Sequence, residues 1–411
     1  MPQINAVPFT ATNSRLDEFR KGWPILIAAM LGCGLGVSSL PLYTAGVFMP
    51  HLQGEFGWSR TELSTAVLIF TMALAAASPL VGRLIDKLGV RTSAAISISA
   101  AALCYLVMAT QLASLATFYL LQAAIAALGA AAAPVAYTRV VTSHFHRSRG
   151  LALGITLLGP SLAATIAPAA LTSVIASHGW AVGYLSLALM TSAMLPFLLL
   201  LKPSTDKETQ PSQHIAAEET PLFSAAERKQ IFYRLLGGLA LFSLGIGGLL
   251  VHLVPLLIDS GLDPIKAASI AGLIGISGMI GRLAGGALAD RLFAPYVLVG
   301  ISAVASFGCM LLATLGAAAA APAAVALGFA LGAEADLMGY LVARYFGKRA
   351  YGKIFGWQYA AFISGIGLSP MLLGYAYDAT HSYSMALMIN VALLLAALLT
   401  FLRLPRFRDA F

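Results

Sequence analysis

Twelve times along this chain an apolar run returns, each about twenty residues or longer, and that recurrence fixes its solvent. About 20 apolar residues in a helix cross the ~30 Å hydrocarbon core of a bilayer, whereas a barrel strand needs only about 9–11. Inside lipid each backbone N–H and C=O must be satisfied within the protein, so runs of this length can only be helices. The predicted spans are roughly 24–49, 60–82, 92–111, 115–140, 149–176, 181–201, 232–258, 265–289, 295–315, 321–345, 352–376 and 382–403. The expected class is therefore an all-α membrane protein of twelve transmembrane helices. Composition agrees: 59% of residues are hydrophobic and only 10% charged, against about 25% charged in soluble domains. The net charge of +8 is no nucleic-acid signal, because the cations lie in short loops between apolar spans.

The longest polar stretch divides the spans six and six. Residues 1–22 read as a polar tail, 23–201 as a first six-helix half and 202–231 as a linker. Residues 232–403 form a second half and 404–411 a short tail, with a short surface helix expected near Ser224–Phe232. No cleavable signal peptide is expected, since the first apolar run is too long for one. With both termini in the cytoplasm, 22 of the 25 cations fall on the cytoplasmic side, Arg60 and Lys266 fall outside, and Arg282 is intramembrane. That skew predicts the orientation. Cys33, Cys104 and Cys309 lie far apart inside spans and read as packing residues. No metal-ligand spacing, nucleotide loop or catalytic triad is present, so neither cofactor nor enzyme activity is expected.

Arg282 is the only charge in the 23 residues Ala267–Ala289. A guanidinium keeps its proton even in hydrocarbon, and inserting one at a helix centre costs about 2.5–3.5 kcal/mol on translocon scales. It must face protein or water and needs an anion. Its planar fork matches a carboxylate, so a substrate carboxylate is one candidate and an internal acid the other. Gly275, Gly278, Gly285 and Gly286 share its helix face and would admit a ligand or a neighbouring helix. Glu334 and Asp336 lie mid-span, two residues and so about 200° apart around a helix. Either is a proton-coupling candidate; pairing with Arg282 or Arg344 is the structural alternative. His252, the one histidine inside a span, is a candidate for proton relay, for substrate hydrogen bonding, or for packing. Gly159-Pro160 predicts a bend in the fifth span.

The halves echo one another. Gly82-Arg-Leu-Ile-Asp86-Lys87-Leu-Gly89-Val-Arg91 after the second span returns as Gly286-Ala-Leu-Ala-Asp290-Arg291 after the eighth. Two parallel six-helix repeats imply a pseudo-twofold axis along the membrane normal, with a site between them. The first passage resembles the loop signature G-x-x-x-D-[RK]-x-G-x-R of the major facilitator superfamily. The resemblance implies a gating and packing role for these residues, with Gly82 allowing close helix contact. Phe56-Gly57-Trp58-Ser59-Arg60, Phe145 to Gly154, and Gly332 to Gly347 are similar to bacterial homologues of monocarboxylate porters and oxalate/formate exchangers. In that family the spans holding Tyr43, Tyr119, Tyr359 and Phe362 line or flank the cavity, which makes these aromatics substrate-binding candidates. Two departures stand out. Gly278 occupies the position where porters often carry an acidic or amide residue, and Ile354–Ala376 lacks the lysine that suits a dianion.

The implied function is proton-coupled symport of a small organic monocarboxylate, lactate- or pyruvate-like, by a monomer in the bacterial inner membrane. A dicarboxylate exchanger or drug-type exporter of the same fold is the nearer alternative. A membrane sensor that binds a carboxylate without moving it is the more distant one.

Overall fold

The computed structural model describes residues 15–145, 148–201, 223–289 and 291–407. Among these the chain is helical, without strands. The main helices are α1 Arg15–Leu35, α2 Leu40–Phe56, α3 Arg60–Gln111, α4 Leu115–Gly129, α5 Pro134–His144 and α6 Arg149–Thr156. They continue as α7 Leu158–Ser192, α8 Ala225–Asp259, α9 Pro264–Ala289, α10 Ala294–Leu315, α11 Ala320–Thr380 and α12 Ser384–Leu402. The expected linker lies largely outside the described residues, as do most of the N-terminal tail and Asp290 of the second loop passage.

By length and hydropathy the described residues make nine membrane-crossing segments, not twelve separate ones. Three are 52, 52 and 54 residues long: Arg60–Gln111, Arg149–Leu200 and Ala294–Gly347. A straight helix of that length would extend roughly 78 Å at 1.5 Å per residue, more than twice the hydrocarbon thickness. Each is broken instead by a glycine in the left-handed region: Gly89 (φ 76°), Gly179 (φ 83°) and Gly316 (φ 55°). At Gly89 the chain reverses, since the Ser93 hydroxyl donates to the Leu84 carbonyl nine residues back at 3.3 Å. Only glycine takes that backbone conformation without a Cβ penalty. Each long segment therefore has the length for two crossings.

Two local expectations change. The separate helix near Ser224–Phe232 is the start of α8. Ser224 and Glu227 form a capping box that begins the helix early, and it runs unbroken to Asp259. The bend near Gly159-Pro160 falls two residues earlier, at Leu157 (φ −80°, ψ 0°). Pro160 then sits in the first turn of α7, where its missing N–H costs nothing. Gly159 is needed for a different reason: a Cβ there would meet the Met30 carbonyl of α1 at 1.9 Å.

Glycine contacts also show how the two parts of the chain meet. A Cβ on Gly46 would strike the Val251 carbonyl at 1.9 Å, one on Gly367 the Thr71 hydroxyl at 1.9 Å, and one on Gly374 the Arg60 carbonyl at 2.7 Å. These seams join α2 to α8 and α3 to α11 toward one end of the molecule, here called the far face. At the opposite end, the basic face, Gly82 and Gly286 have nothing within 4 Å of a built Cβ. The close helix contact expected at Gly82 is therefore not made in this conformation.

Candidate functional site

Arg282 owes its position to the glycines around it. Added Cβ atoms on Gly281 and Gly285 would collide with the Phe329 carbonyl at 2.1 Å and the Ala333 side chain at 2.7 Å, and one on Gly275 with the Ser161 carbonyl at 2.2 Å. These residues seat α9 directly against α11 on one side and α7 on the other. Gly286, which shares the arginine's face, stays open. The close approach to α11 brings Asp336 to 3.5 Å from the guanidinium, with 19% of the Arg282 side chain and 40% of the Asp336 side chain exposed. At that distance the pair is coulombic and not a formed hydrogen bond. The Arg282 Nε is buried with no hydrogen-bond partner among the described residues. Its charge lies within coulombic reach of Cys33 on α1 and Tyr43 on α2, so it looks across the boundary between the two parts of the chain.

Glu334 takes the opposite side of α11 from Asp336, as two helical steps require. It is fully buried, and both carboxylate oxygens lack a hydrogen-bond partner among the described residues. Tyr359, half exposed in the part of α11 beyond its break at Gly347 (φ 71°), lies within coulombic reach of it. Tyr359 also ends a stacked column with Phe355 and Tyr351, at 6.1 and 5.4 Å between ring centroids. Phe362 packs partly buried against the core. The arrangement gathers one arginine, two acids and an aromatic wall around α9 and α11.

Tyr119 and His252 stand elsewhere. The Tyr119 hydroxyl donates to the Glu62 carbonyl at 3.0 Å near the far face, beside the stack of Trp58 on Phe118. His252 is fully buried and its ring nitrogens are occupied: Nε2 faces the Pro370 carbonyl and the Ser64 hydroxyl, and Nδ1 faces the Tyr383 hydroxyl, each at 2.9 Å. A carbonyl only accepts, so Nε2 carries the hydrogen and Nδ1 accepts from Tyr383.

Tyr383 leads to a cluster the sequence reading missed. It accepts from the Arg60 guanidinium, which also grips Asp259 bidentately at 2.6 and 3.0 Å. The guanidinium lies 3.7 Å from the centre of the Tyr377 ring, and Arg60 is only 5% exposed. Asp378 accepts from the Arg60 and Thr61 backbone N–H groups at 3.2 and 2.8 Å and from the Thr61 hydroxyl at 2.6 Å. A carboxylate from α11 thus caps the start of α3, where the helix dipole favours an anion. Arg60 and Asp259 are 199 positions apart, so no local pattern pairs them. The available signal was a cation placed outside, with acids closing the seventh and eleventh spans.

At the basic face, Asp86 of the loop passage accepts from Arg139 at 2.7 Å, with both side chains exposed. Lys87, Arg91 and Arg291 are exposed too.

Known proteins share this fold. The family description "Major Facilitator Superfamily" matches residues 31–335. Monocarboxylate transporter 11 of Mus musculus is 26% identical over 398 residues, covering 94% of this chain and 88% of the relative. A gallate transporter of Pseudomonas putida is 30% identical over 278 residues, covering 60% of this chain and 61% of the relative. Among solved structures, a bacterial homolog of the human lysosomal transporter Spinster, in an inward-facing and occupied conformation, superposes with a TM-score of 0.70. It is 15% identical and covers 97% of this chain and 100% of its own. The nucleoside transporter NupG gives 0.70 at 14% identity, with 93% and 99% covered. These likenesses at low identity carry the fold, and the family match spans most of the sequence. The chain belongs to the major facilitator superfamily and is an integral multi-pass membrane transporter.

Proposed function

We propose that this protein is a proton-coupled transporter of small organic monocarboxylates, with Arg282 as the carboxylate receptor. The observation that carries the reading is the state of that arginine. It is the only charge in its span, its Nε has no hydrogen-bond partner among the described residues, and Asp336 stands at 3.5 Å without closing a hydrogen bond. An incoming carboxylate takes the free side of the fork. Arg282 then faces two anions with one charge, and a proton on Asp336 restores neutrality; Glu334 is the second candidate carrier of the coupled proton. Substrate and proton bind together because each removes the cost of the other. The monocarboxylate transporters among the relatives support the substrate class.

The basic face is read as cytoplasmic, with the twelve crossings and both termini placed as the cation bias predicts. On that reading this conformation is inward-open: joined at the far face and parted at the basic face. Rocking of the two six-helix halves gives alternating access, and the loop passages Gly82–Arg91 and Gly286–Arg291 close the cytoplasmic side in the other state. Substrate binding shifts this equilibrium only through its differential affinity for the two states.

A second reading concerns the size of the acid. The stacked column Tyr351, Phe355 and Tyr359 offers an aromatic wall, and one relative is a gallate transporter. Both favour an aromatic monocarboxylate over lactate. Uptake of lactate, pyruvate and benzoate-type acids into proteoliposomes under an imposed pH gradient tests both readings. Flux of none of them under any gradient would remove the carboxylate assignment.

A further inference from the structure

We propose that Arg60, Asp259 and Asp378 form the gate that seals the far face, and that releasing these two carboxylates is the event that opens it. The proposal rests on the alternating-access reading above, but its test does not require a substrate. Among the described residues, the hydrogen bonds joining the two halves gather here: Arg60 to Asp259 and Tyr383, Arg60 and Thr61 to Asp378, and Ser64 to His252. One short stretch at the start of α3 is held by three elements of the second half, namely the end of α8, the end of α11 and the residue before α12.

Two features make this a gate and not a surface ion pair. The first is burial of the arginine. The Arg60 side chain is 6% exposed and the Asp259 side chain 33%. Removing Asp259 therefore leaves a buried guanidinium charge without its carboxylate, which is the costly way to break such a pair. The second is division of labour. Asp259 holds the guanidinium, while Asp378 holds the backbone N–H groups that begin α3. Each carboxylate anchors a different part of the same residue, so loss of either one loosens the seam. Beside Asp259, a cavity of about 440 Å³ lined by Asp259, Tyr377, His381 and Tyr383 opens on the second-half side of the cluster. His252 ties the cluster inward through Tyr383 to the Pro370 carbonyl, so the seam loosens over several turns and not at one pair alone.

Thiol labelling reads the gate directly. With Cys33, Cys104 and Cys309 replaced by serine, a reporter Thr71→Cys sits eleven residues into α3, about 16 Å below Arg60 at 1.5 Å per residue. It is buried at 2% against Gly367 across the seam. A membrane-impermeant methanethiosulfonate added to the far face of oriented proteoliposomes should react at least tenfold faster in Asp259→Asn and in Asp378→Asn than in the parent. Asp263→Asn is the control. This acid lies at the same face but caps its own helix through Ile265 and Lys266, and its rate should equal the parent's. Rates within twofold of the parent in both gate variants would overturn the proposal, as would equal acceleration in the Asp263 control. If the gate variants respond while no acid is transported, the gate stands and the carboxylate assignment falls.

Discussion

Arg282 and Asp336 face each other at 3.5 Å and do not complete a hydrogen bond. The arginine is held in place by backbone packing, with Gly281 and Gly285 drawing α9 onto α11, and its charge is only partly matched. That incompleteness is what the proposed receptor role rests on. A pair built for stability would close both prongs of the fork, as Arg60 does on Asp259.

Replacing Arg282 with lysine keeps the charge and removes the fork. A charge-assisted hydrogen bond contributes about 1.5–3 kcal/mol, so Arg282→Lys should weaken carboxylate binding roughly ten- to a hundredfold. Thermal-shift titration of purified protein with the transported acid checks this. Affinity equal to the parent's would show that point charge alone suffices.

Glu334 and Asp336 make separable predictions. If Glu334 carries the proton, Glu334→Gln should exchange acid across the bilayer but fail to concentrate it under a pH gradient. Asp336→Asn should do so if Asp336 carries it. Uptake and counterflow on the same vesicles separate the two steps. Accumulation at parental level in both variants excludes these acids as couplers. Because neither Glu334 oxygen has a hydrogen-bond partner among the described residues, Glu334→Gln should also leave the melting temperature unchanged or raise it.

His252 should behave as structure. It satisfies Tyr383 and Pro370 and meets Ser64, and an orphaned buried polar group costs about 1–3 kcal/mol. His252→Leu should lower the melting temperature by several degrees in detergent. An unchanged melting temperature with abolished pH dependence of transport would instead give it the relay role.

The glycines divide by surroundings. Gly281→Val forces a side chain into the Phe329 carbonyl, and overpacking of this kind costs about 1–3 kcal/mol, visible as reduced folded yield and a lower melting temperature. Gly82→Val meets open space in this conformation. It should melt like the parent yet slow transport, provided the basic face closes on it during the cycle. A parental transport rate would mean that no helix approaches Gly82.

Much of the fold was legible because lipid leaves the chain few choices. Apolar runs announce helices by length alone, and the lone charge of Arg282 stands out against them. The partners of that charge were harder to read. Gly278 marked the absence of an acid on α9, but Asp336 was only one of several candidates until α11 packed on α9. The Arg60 cluster was not legible: its members come from the ends of α3, α8 and α11 and from Tyr383, and hydropathy treats such ends as solvated. Tyr119 and His252 looked like site residues by type and span, and only tertiary contacts place their polar atoms on Glu62, Tyr383 and Pro370.

The most direct test of the account is uphill uptake of a radiolabelled monocarboxylate into proteoliposomes, acidic outside, for the parent and for Arg282→Ala. The account predicts accumulation by the parent that collapses when the pH gradient is dissipated, and none above empty liposomes for Arg282→Ala at matched incorporation. Accumulation by Arg282→Ala equal to the parent's would contradict it.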